Sequence, residues 1–517
     1  MNKIITTLAI GCSLLSCQKV DNNKVELSQE NKKPNVILFY VDDLGYGDIG
    51  KNGLKGASTP EIDKLADGGI LFTDVHSPHA TCTPSRYSML TGEYAFRKNA
   101  KVLKGDAPLL IDPDKKTLPD LFKQAGYATG VVGKWHLGLG NGNVDWNKAV
   151  KPGPLELGFD YSFLLPSTGD RVPSVYLENH HIVNLDPNDP ITVSYEKNIS
   201  DRPTGNAHPE LLRQGADKQH GNTIINGISR IGYMKGGEKA LWTDEDFPEK
   251  LAGKASNFIK KHKDEPFFLY FAFHDIHVPR LPSDQFKGKS EMGVRGDVIL
   301  QMDYTTGLVM KTLKDLGIED NTLVIFTSDN GPVLTDGYDD QAIELLGDHS
   351  PAGPFSGGKY SALEGGTRVP MIAYWPNKIK GGKVSDATFS HLDFYASFAK
   401  MFAIEVAANE AIDSKNILPA LIGESKEGRP YMVEESYTIS LRQGDWKYIQ
   451  PIASTRRVPD FMEKFKNIDG GMSRAPQLFN LKTDIKEEVN VANQHPELVK
   501  GMQHILDSIQ AIEVGVL

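Results

Sequence analysis

Two stretches constrain everything else in this chain. Residues 35–41 read Asn-Val-Ile-Leu-Phe-Tyr-Val, and residues 322–328 read Thr-Leu-Val-Ile-Phe-Thr-Ser. Neither alternates apolar with charged residues. Each therefore suits a central parallel strand covered on both faces. Each also ends in oxygen donors: Asp42-Asp43 after the first, Asp329-Asn330 after the second. In open α/β sheets, ligands bind beyond the carboxyl ends of the strands. Adjacent carboxylates repel unless a proton or cation lies between them, and hard divalent cations such as Ca2+ take this kind of oxygen ligand. Asp42, Asp43, Asp329 and Asn330 are thus the candidate metal ligands.

Further buried-strand runs occur at Pro266 to Phe273, Ala128 to Gly133 and Met371 to Trp375, with another strand at Ile70 to Val75. Helical patterns lie between them. Thr59 to Gly68 has a threonine cap and Pro60 at the first position, and Leu118 to Ala125 ends at Gly126. Asp297 to Leu316 shows a one-sided apolar stripe, and His391 to Phe402 also reads as helix. The expectation is an α/β fold, a large mixed and mostly parallel sheet sandwiched by helices. From about residue 430 the pattern changes to short alternating segments, then a closing helix over Pro496 to Ile512. That predicts a smaller domain of antiparallel sheet plus helix over 431–517, after a catalytic domain over 34–430.

The first 33 residues read differently. Lys3 precedes a short apolar run from Ile4 to Leu15, too short to span a membrane. It ends in Leu14-Leu15-Ser16-Cys17, which resembles a bacterial lipoprotein box. Residues 1–17 are expected to be a lipoprotein signal peptide with Cys17 lipidated, and 18–33 a polar tether. The protein is then exported, periplasmic or anchored to the outer membrane, and meets the membrane only through that lipid. A net charge of −10 argues against nucleic acid as a partner.

Only Cys82 remains beyond the leader, so it has no intramolecular partner for a disulfide. It opens Cys82-Thr83-Pro84-Ser85-Arg86, followed by Leu90-Thr91-Gly92. A helix starting near Pro84 places Cys82 at its N-terminal end, where exposed N–H groups favour an anion. Arg86 then lies on the first turn, with a guanidinium suited to oxyanions. A buried free cysteine is the plainer reading of this pentapeptide alone.

The pentapeptide with its Leu-Thr-Gly sequel resembles the signature of the type I sulfatases, within the wider alkaline phosphatase superfamily. The resemblance spans roughly residues 34–500. It implies that Cys82 is oxidised by a sulfatase-maturing enzyme to formylglycine (3-oxoalanine), whose hydrate attacks sulfur. It implies one Ca2+ per site on the four oxygen donors. Gly133-Lys134-Trp135-His136-Leu137-Gly138 matches a sulfatase string whose lysine and histidine contact the nucleophile and sulfate. Read as an extended segment, Lys134 and His136 point to the same side. His277, before Val278-Pro279, and Lys359, five before Glu364-Gly365-Gly366, match substrate-facing positions. The expected roles are Asp329 or the metal activating the attacking hydroxyl, His277 and Lys359 aiding the leaving alcohol, and His136 as base for sulfate release. Arg86 would stabilise the hydrate. Asp170, Arg171, His220 and His274 are candidate substrate-binding residues.

The implied reaction is hydrolysis of sulfate monoesters on a sulfated carbohydrate. The segments Thr168 to Ile191 and Gly331 to Tyr360 resemble bacterial N-acetylgalactosamine- or galactose-6-sulfatases, so 6-O-sulfate on a galacto-configured sugar is the expected substrate. Two rival readings stand beside it: a phosphoester hydrolase of the same superfamily, and a non-catalytic lipoprotein that binds sulfated glycans.

Overall fold

A computed structural model describes residues 1, 32–452 and 469–512. The leader, Cys17 and the tether up to residue 31 lie outside the described residues. Residues 34–517 form one compact unit.

Its frame is a ten-stranded sheet. The strands in chain order are β1 (Asn35–Val41), β2 (Ile70–Phe72), β3 (Ala128–Lys134), β4 (Tyr161–Leu165), β5 (Leu177–Glu178) and β6 (His181–Ile182), then β7 (Phe267–Ala272), β8 (Thr322–Ser328), β9 (Met371–Tyr374) and β10 (Lys383–Ser385). Their spatial order is β10-β2-β9-β8-β1-β7-β3-β4-β5-β6. The five central strands β8, β1, β7, β3 and β4 run parallel. Antiparallel neighbours flank them at β9 on one side and β5 on the other. The mostly parallel mixed sheet expected from the apolar runs is the one observed.

The apolar runs are unbroken because both faces of each strand are covered. In β1, Val36, Leu38 and Tyr40 enter one core with α2 (Cys82–Thr91), α3 (Leu118–Gln124) and a helix over Phe394–Met401. Ile37, Phe39 and Val41 enter the other, with α1 (Pro60–Gly68) and helices over Phe247–Lys261 and Gly293–Asp315. Each buried Phe, Leu or Ile side chain contributes roughly 1.5–3 kcal/mol, so both cores resist a register slip.

Local departures from the expectation are few. The strand expected over 70–75 is broken into Ile70–Phe72 and Val75–His76, with the Thr73 N–H making the last bond to β10 at Ser385 O. Helix α2 begins at Cys82 itself, two residues before Pro84, with Thr81 as the extended cap. The C-terminal part is a four-stranded antiparallel sheet over 432–435, 439–443, 446–449 and 477–480, backed by the Pro496–Gln510 helix. Val433, Leu441, Tyr448, Leu478, Met502 and Leu506 form its core. Among the described residues, no helix is long and apolar enough to cross a membrane.

Candidate active site

The ends of β1 and β8 lie side by side, in register from Asn35–Thr322 to Val41–Ser328. Asp42, Asp43, Asp329 and Asn330 therefore emerge together, and none has measurable exposure. Asn330 Nδ2 donates to Asp43 Oδ1 at 2.8 Å, and Asp329 Oδ1 accepts the Asp43 N–H at 3.3 Å. Two oxygens are left over: Asp42 Oδ1 and Asn330 Oδ1 are buried without any hydrogen-bond partner. Burial pushes the Asp42 carboxyl well above its usual range, against the pull of Lys134, and raises Asp43 as well. Unpaired buried oxygens beside destabilised carboxylates are what a hard cation corrects. The donor set fits Ca2+.

Cys82 is buried at 2% exposure, on the first turn of α2. Burial raises its thiol pKa, so the site does not favour a thiolate. Its Sγ lies 3.3 Å from His136 Nδ1. The other ring nitrogen, Nε2, is 3.0 Å from the Leu103 carbonyl, which can only accept. Nε2 therefore carries the hydrogen, and Nδ1 turns a lone pair towards position 82. Burial, aided by Lys134, holds His136 well below the usual histidine range.

Lys134 and His136 take different partners around Cys82. At Gly133 (φ +110°) an added Cβ would meet the Ala272 carbonyl oxygen at 1.8 Å, and His136 also has positive φ (+53°). Lys134 Nζ meets Asp42 Oδ2, while His136 Nδ1 faces Cys82. Arg86 is placed differently from the expectation. Its Nε and Nη2 both donate to Asp329 Oδ2, at 2.9 and 2.7 Å, and Nη1 to the Lys134 carbonyl and Tyr270 Oη. Against burial, Arg86 holds the Asp329 carboxyl below its usual range. Arg86 is committed to orienting Asp329 and does not reach into the cavity above Cys82.

That cavity measures about 1070 Å³, and Cys82, His136, His277, Lys359, Asp170, Arg171 and His220 all line it. His277 Nδ1 is 2.6 Å from the Val278 carbonyl and 3.3 Å from Thr168 Oγ1, which leaves Nε2 3.8 Å from Asp43 Oδ2. Lys359 Nζ lies 2.9 Å from Asp43 Oδ2 and 2.8 Å from Asp336 Oδ2. Arg171 grips both oxygens of Asp170 at 2.7 Å. His220 sits between Asp217 at 2.9 Å and Asp170 at 3.5 Å. Burial opposes charge on His220, but hydrogen bonds to those two carboxylates raise it to about 9.

His274 belongs elsewhere. Its ring packs on Phe247 and against Gly169, its Nε2 has no partner, and it does not line the cavity. Three participants escaped sequence reasoning. Leu103 acts through its backbone, which no side-chain pattern reveals. Tyr195, from a loop-rich stretch, lines the cavity and donates to the Val172 carbonyl. Asp336, in an ordinary Asp-Gly turn, meets Lys359.

Three strand-end carboxylates, an amide, and a helix-start cysteine beneath a cavity that presents Lys359, Arg171, His136, His220 and His277 suit a hydrolase of anionic esters. The sulfatase family model matches residues 34–404, and the chain belongs to the sulfatase family. It is a sulfuric ester hydrolase, so neither the phosphoesterase nor the non-catalytic reading is carried further. It is 47% identical over 507 residues to an N-acetylgalactosamine-6-O-sulfatase of Bacteroides thetaiotaomicron, covering 97% of each chain. It is 30% identical over 504 residues to the human N-acetylgalactosamine-6-sulfatase, covering 92% of this chain and 85% of that one. A solved B. thetaiotaomicron 6S-sulfatase, described in the context of glycosaminoglycan metabolism, superposes with a TM-score of 0.90 at 48% identity. That match covers 93% of this chain and all of the other.

Proposed function

We propose that this sulfatase removes 6-O-sulfate from N-acetylgalactosamine or galactose in a sulfated glycan, using formylglycine made from Cys82 and one Ca2+. The single observation that carries the mechanism is the His136 lone pair aimed at position 82 across 3.3 Å. The sugar rests on the names of the relatives and on the Asp170–Arg171–His220 cluster in the cavity wall.

Sulfate monoesters resist hydrolysis, so the site has to stabilise charge on the sulfuryl oxygens and on the departing alcohol. Formylglycine at position 82 supplies, as its hydrate, a nucleophilic hydroxyl and a second hydroxyl whose deprotonation releases sulfate. Asp42, Asp43, Asp329 and Asn330 would hold calcium, which would supply positive charge to offset that of the sulfuryl oxygens. His136 receives the proton at Nδ1, which its Nε2–H bond to Leu103 keeps vacant. Arg86 fixes the carboxylate of Asp329. Lys359 offers its ammonium from the cavity wall, placed to bind the ester and to donate to the leaving oxygen. His277 is held by Val278 and turns its Nε2 towards Asp43, facing the same space. Asp170 and Arg171 form a rigid pair of acceptor and donor for sugar hydroxyls, braced by charged His220 between Asp170 and Asp217.

The test is sulfate release from a panel of sulfated monosaccharides. N-acetylgalactosamine 6-sulfate or galactose 6-sulfate should be turned over fastest. Faster release from a 4-sulfate or from the gluco-configured 6-sulfate would overturn the sugar assignment. The Cys82→Ala protein should release none. Mass spectrometry of the peptide around residue 82 should show loss of sulfur from the active enzyme.

A further inference from the structure

Asp336 has no part in the scheme above, yet it touches a central member of it. It lines the cavity beside Lys359. Its Oδ2 accepts from Lys359 Nζ at 2.8 Å and from Tyr360 Oη at 3.0 Å, and its Oδ1 lies 3.3 Å from the same hydroxyl. Lys359 has a second carboxylate partner, Asp43, at 2.9 Å. The two partners differ in place. Asp43 belongs to the oxygen cluster under the floor, and only Asp336 lies on the cavity wall. A lysine side chain has four rotatable bonds, so one partner alone leaves its tip poorly defined. Held by Asp43 alone, Nζ would be drawn towards the floor.

The turn that carries Asp336 is itself fixed. Gly337 has φ +94°, and a Cβ there would meet His220 Nδ1 at 2.0 Å. Only glycine lets the backbone press so close to that ring. Tyr338 follows, its ring 5.0 Å from His220 and its hydroxyl bonded to the Ser229 carbonyl at 2.7 Å. Asp336 therefore sits on an anchored turn.

We infer that Asp336 is a positioning residue that holds the Lys359 ammonium at the cavity wall, facing the ester oxygen of the departing sugar. The inference rests on the proposed role of Lys359. Burial opposes charge on Asp336, but Lys359 outweighs it and holds the carboxyl below its usual range, so the pair is ionic. Asparagine at 336 keeps the shape and loses the charge. Glutamate keeps the charge and reaches one carbon further.

The experiment is a double-mutant cycle on the formylglycine-containing, calcium-loaded enzyme. Its substrate is the sulfated sugar that wild-type protein turns over fastest in the panel above. Asp336→Asn should lower kcat by about 30-fold, less than the roughly 100-fold or more expected for outright loss of a general acid because the lysine remains, with KM changed less than about threefold. Asp336→Glu should recover about a third or more of wild-type kcat. Lys359→Ala combined with Asp336→Asn should be no slower than Lys359→Ala alone, because one residue acts through the other. Losses that multiply in the double variant would overturn the inference, as would wild-type kcat in Asp336→Asn. Unfolding temperatures of all variants separate positioning from misfolding, and the glutamate variant keeps the test decisive if the asparagine variant is unstable. Failure of the panel strikes the substrate reading, whereas failure of the cycle strikes Asp336 alone.

Discussion

His136 Nδ1 faces Cys82 Sγ across 3.3 Å because the Leu103 carbonyl has claimed the opposite nitrogen of the ring. A backbone oxygen thus selects the tautomer, and burial keeps the ring neutral. Replacing His136 with glutamine removes the base while leaving an amide of similar size. We expect one equivalent of desulfated sugar to be released quickly, followed by turnover slowed about 100-fold or more. Rapid-quench kinetics check this. Steady turnover at the wild-type rate would refute the role.

The unpartnered oxygens of Asp42 and Asn330 predict a calcium response independent of catalysis. Adding Ca2+ to chelator-treated protein should raise the unfolding temperature by several degrees, since ligand at 100 times its Kd adds about 2.7 kcal/mol. Burial raises Asp42 and Asp43, so protons compete with calcium for these carboxylates. Apparent affinity should therefore rise with pH. Asp42→Asn and Asn330→Ala should lose the thermal response. Isothermal titration at two pH values checks the sign.

Asp303 gives a stability prediction far from the cavity. Its two oxygens accept the N–H groups of Glu61 and Ile62 at the start of the Pro60–Gly68 helix. Burial raises its carboxyl to about 7, while an unfolded aspartate titrates near ~4. The folded state therefore holds a proton that the unfolded chain has lost. Stability from this group is fully present below about pH 4 and falls as pH rises through 7. Asp303→Asn cannot ionise, so its unfolding temperature should decline less steeply between pH 5 and 8. Parallel slopes for the two proteins would show that Asp303 is already charged.

The lipid anchor proposed at Cys17 is tested by fractionation. Wild-type protein expressed in a Gram-negative host should sediment with membranes and incorporate labelled fatty acid. Cys17→Ser should do neither. Because 34–517 is one compact unit, a chain starting at residue 34 should remain folded and soluble.

The sheet was readable because parallel strands covered on both faces leave unbroken apolar runs, as in Asn35–Val41 and Thr322–Ser328. The oxygen donors were readable because strand ends are where such sheets place ligands. Backbone reversals were not. The positive φ at His136 and the different partners of Lys134 and His136, Asp42 and Cys82, are not visible in their spacing. Arg86 reads as a group for the hydrate at position 82 because its spacing from Cys82 is visible, while its partner Asp329 lies 243 positions away in sequence. Breaking that buried pair would leave an uncompensated charge and cost roughly 3–5 kcal/mol. Inactivity of an Arg86 variant would thus mix lost orientation with lost fold. Asp336 stayed hidden because Asp-Gly is ordinary turn chemistry, and only the path of the backbone sets it against Lys359.

All ten residues of α2 are buried, Cys82 among them. Its first turn meets solvent only at the cavity that Cys82 and Pro84 line. An enzyme that oxidised the Cys82 thiol, as proposed, would reach it far more readily while this segment is still extended. On that proposal oxidation and folding would compete in time during biogenesis. A host that folds the chain first would yield folded but unconverted protein, and purity or melting temperature alone would not reveal the difference.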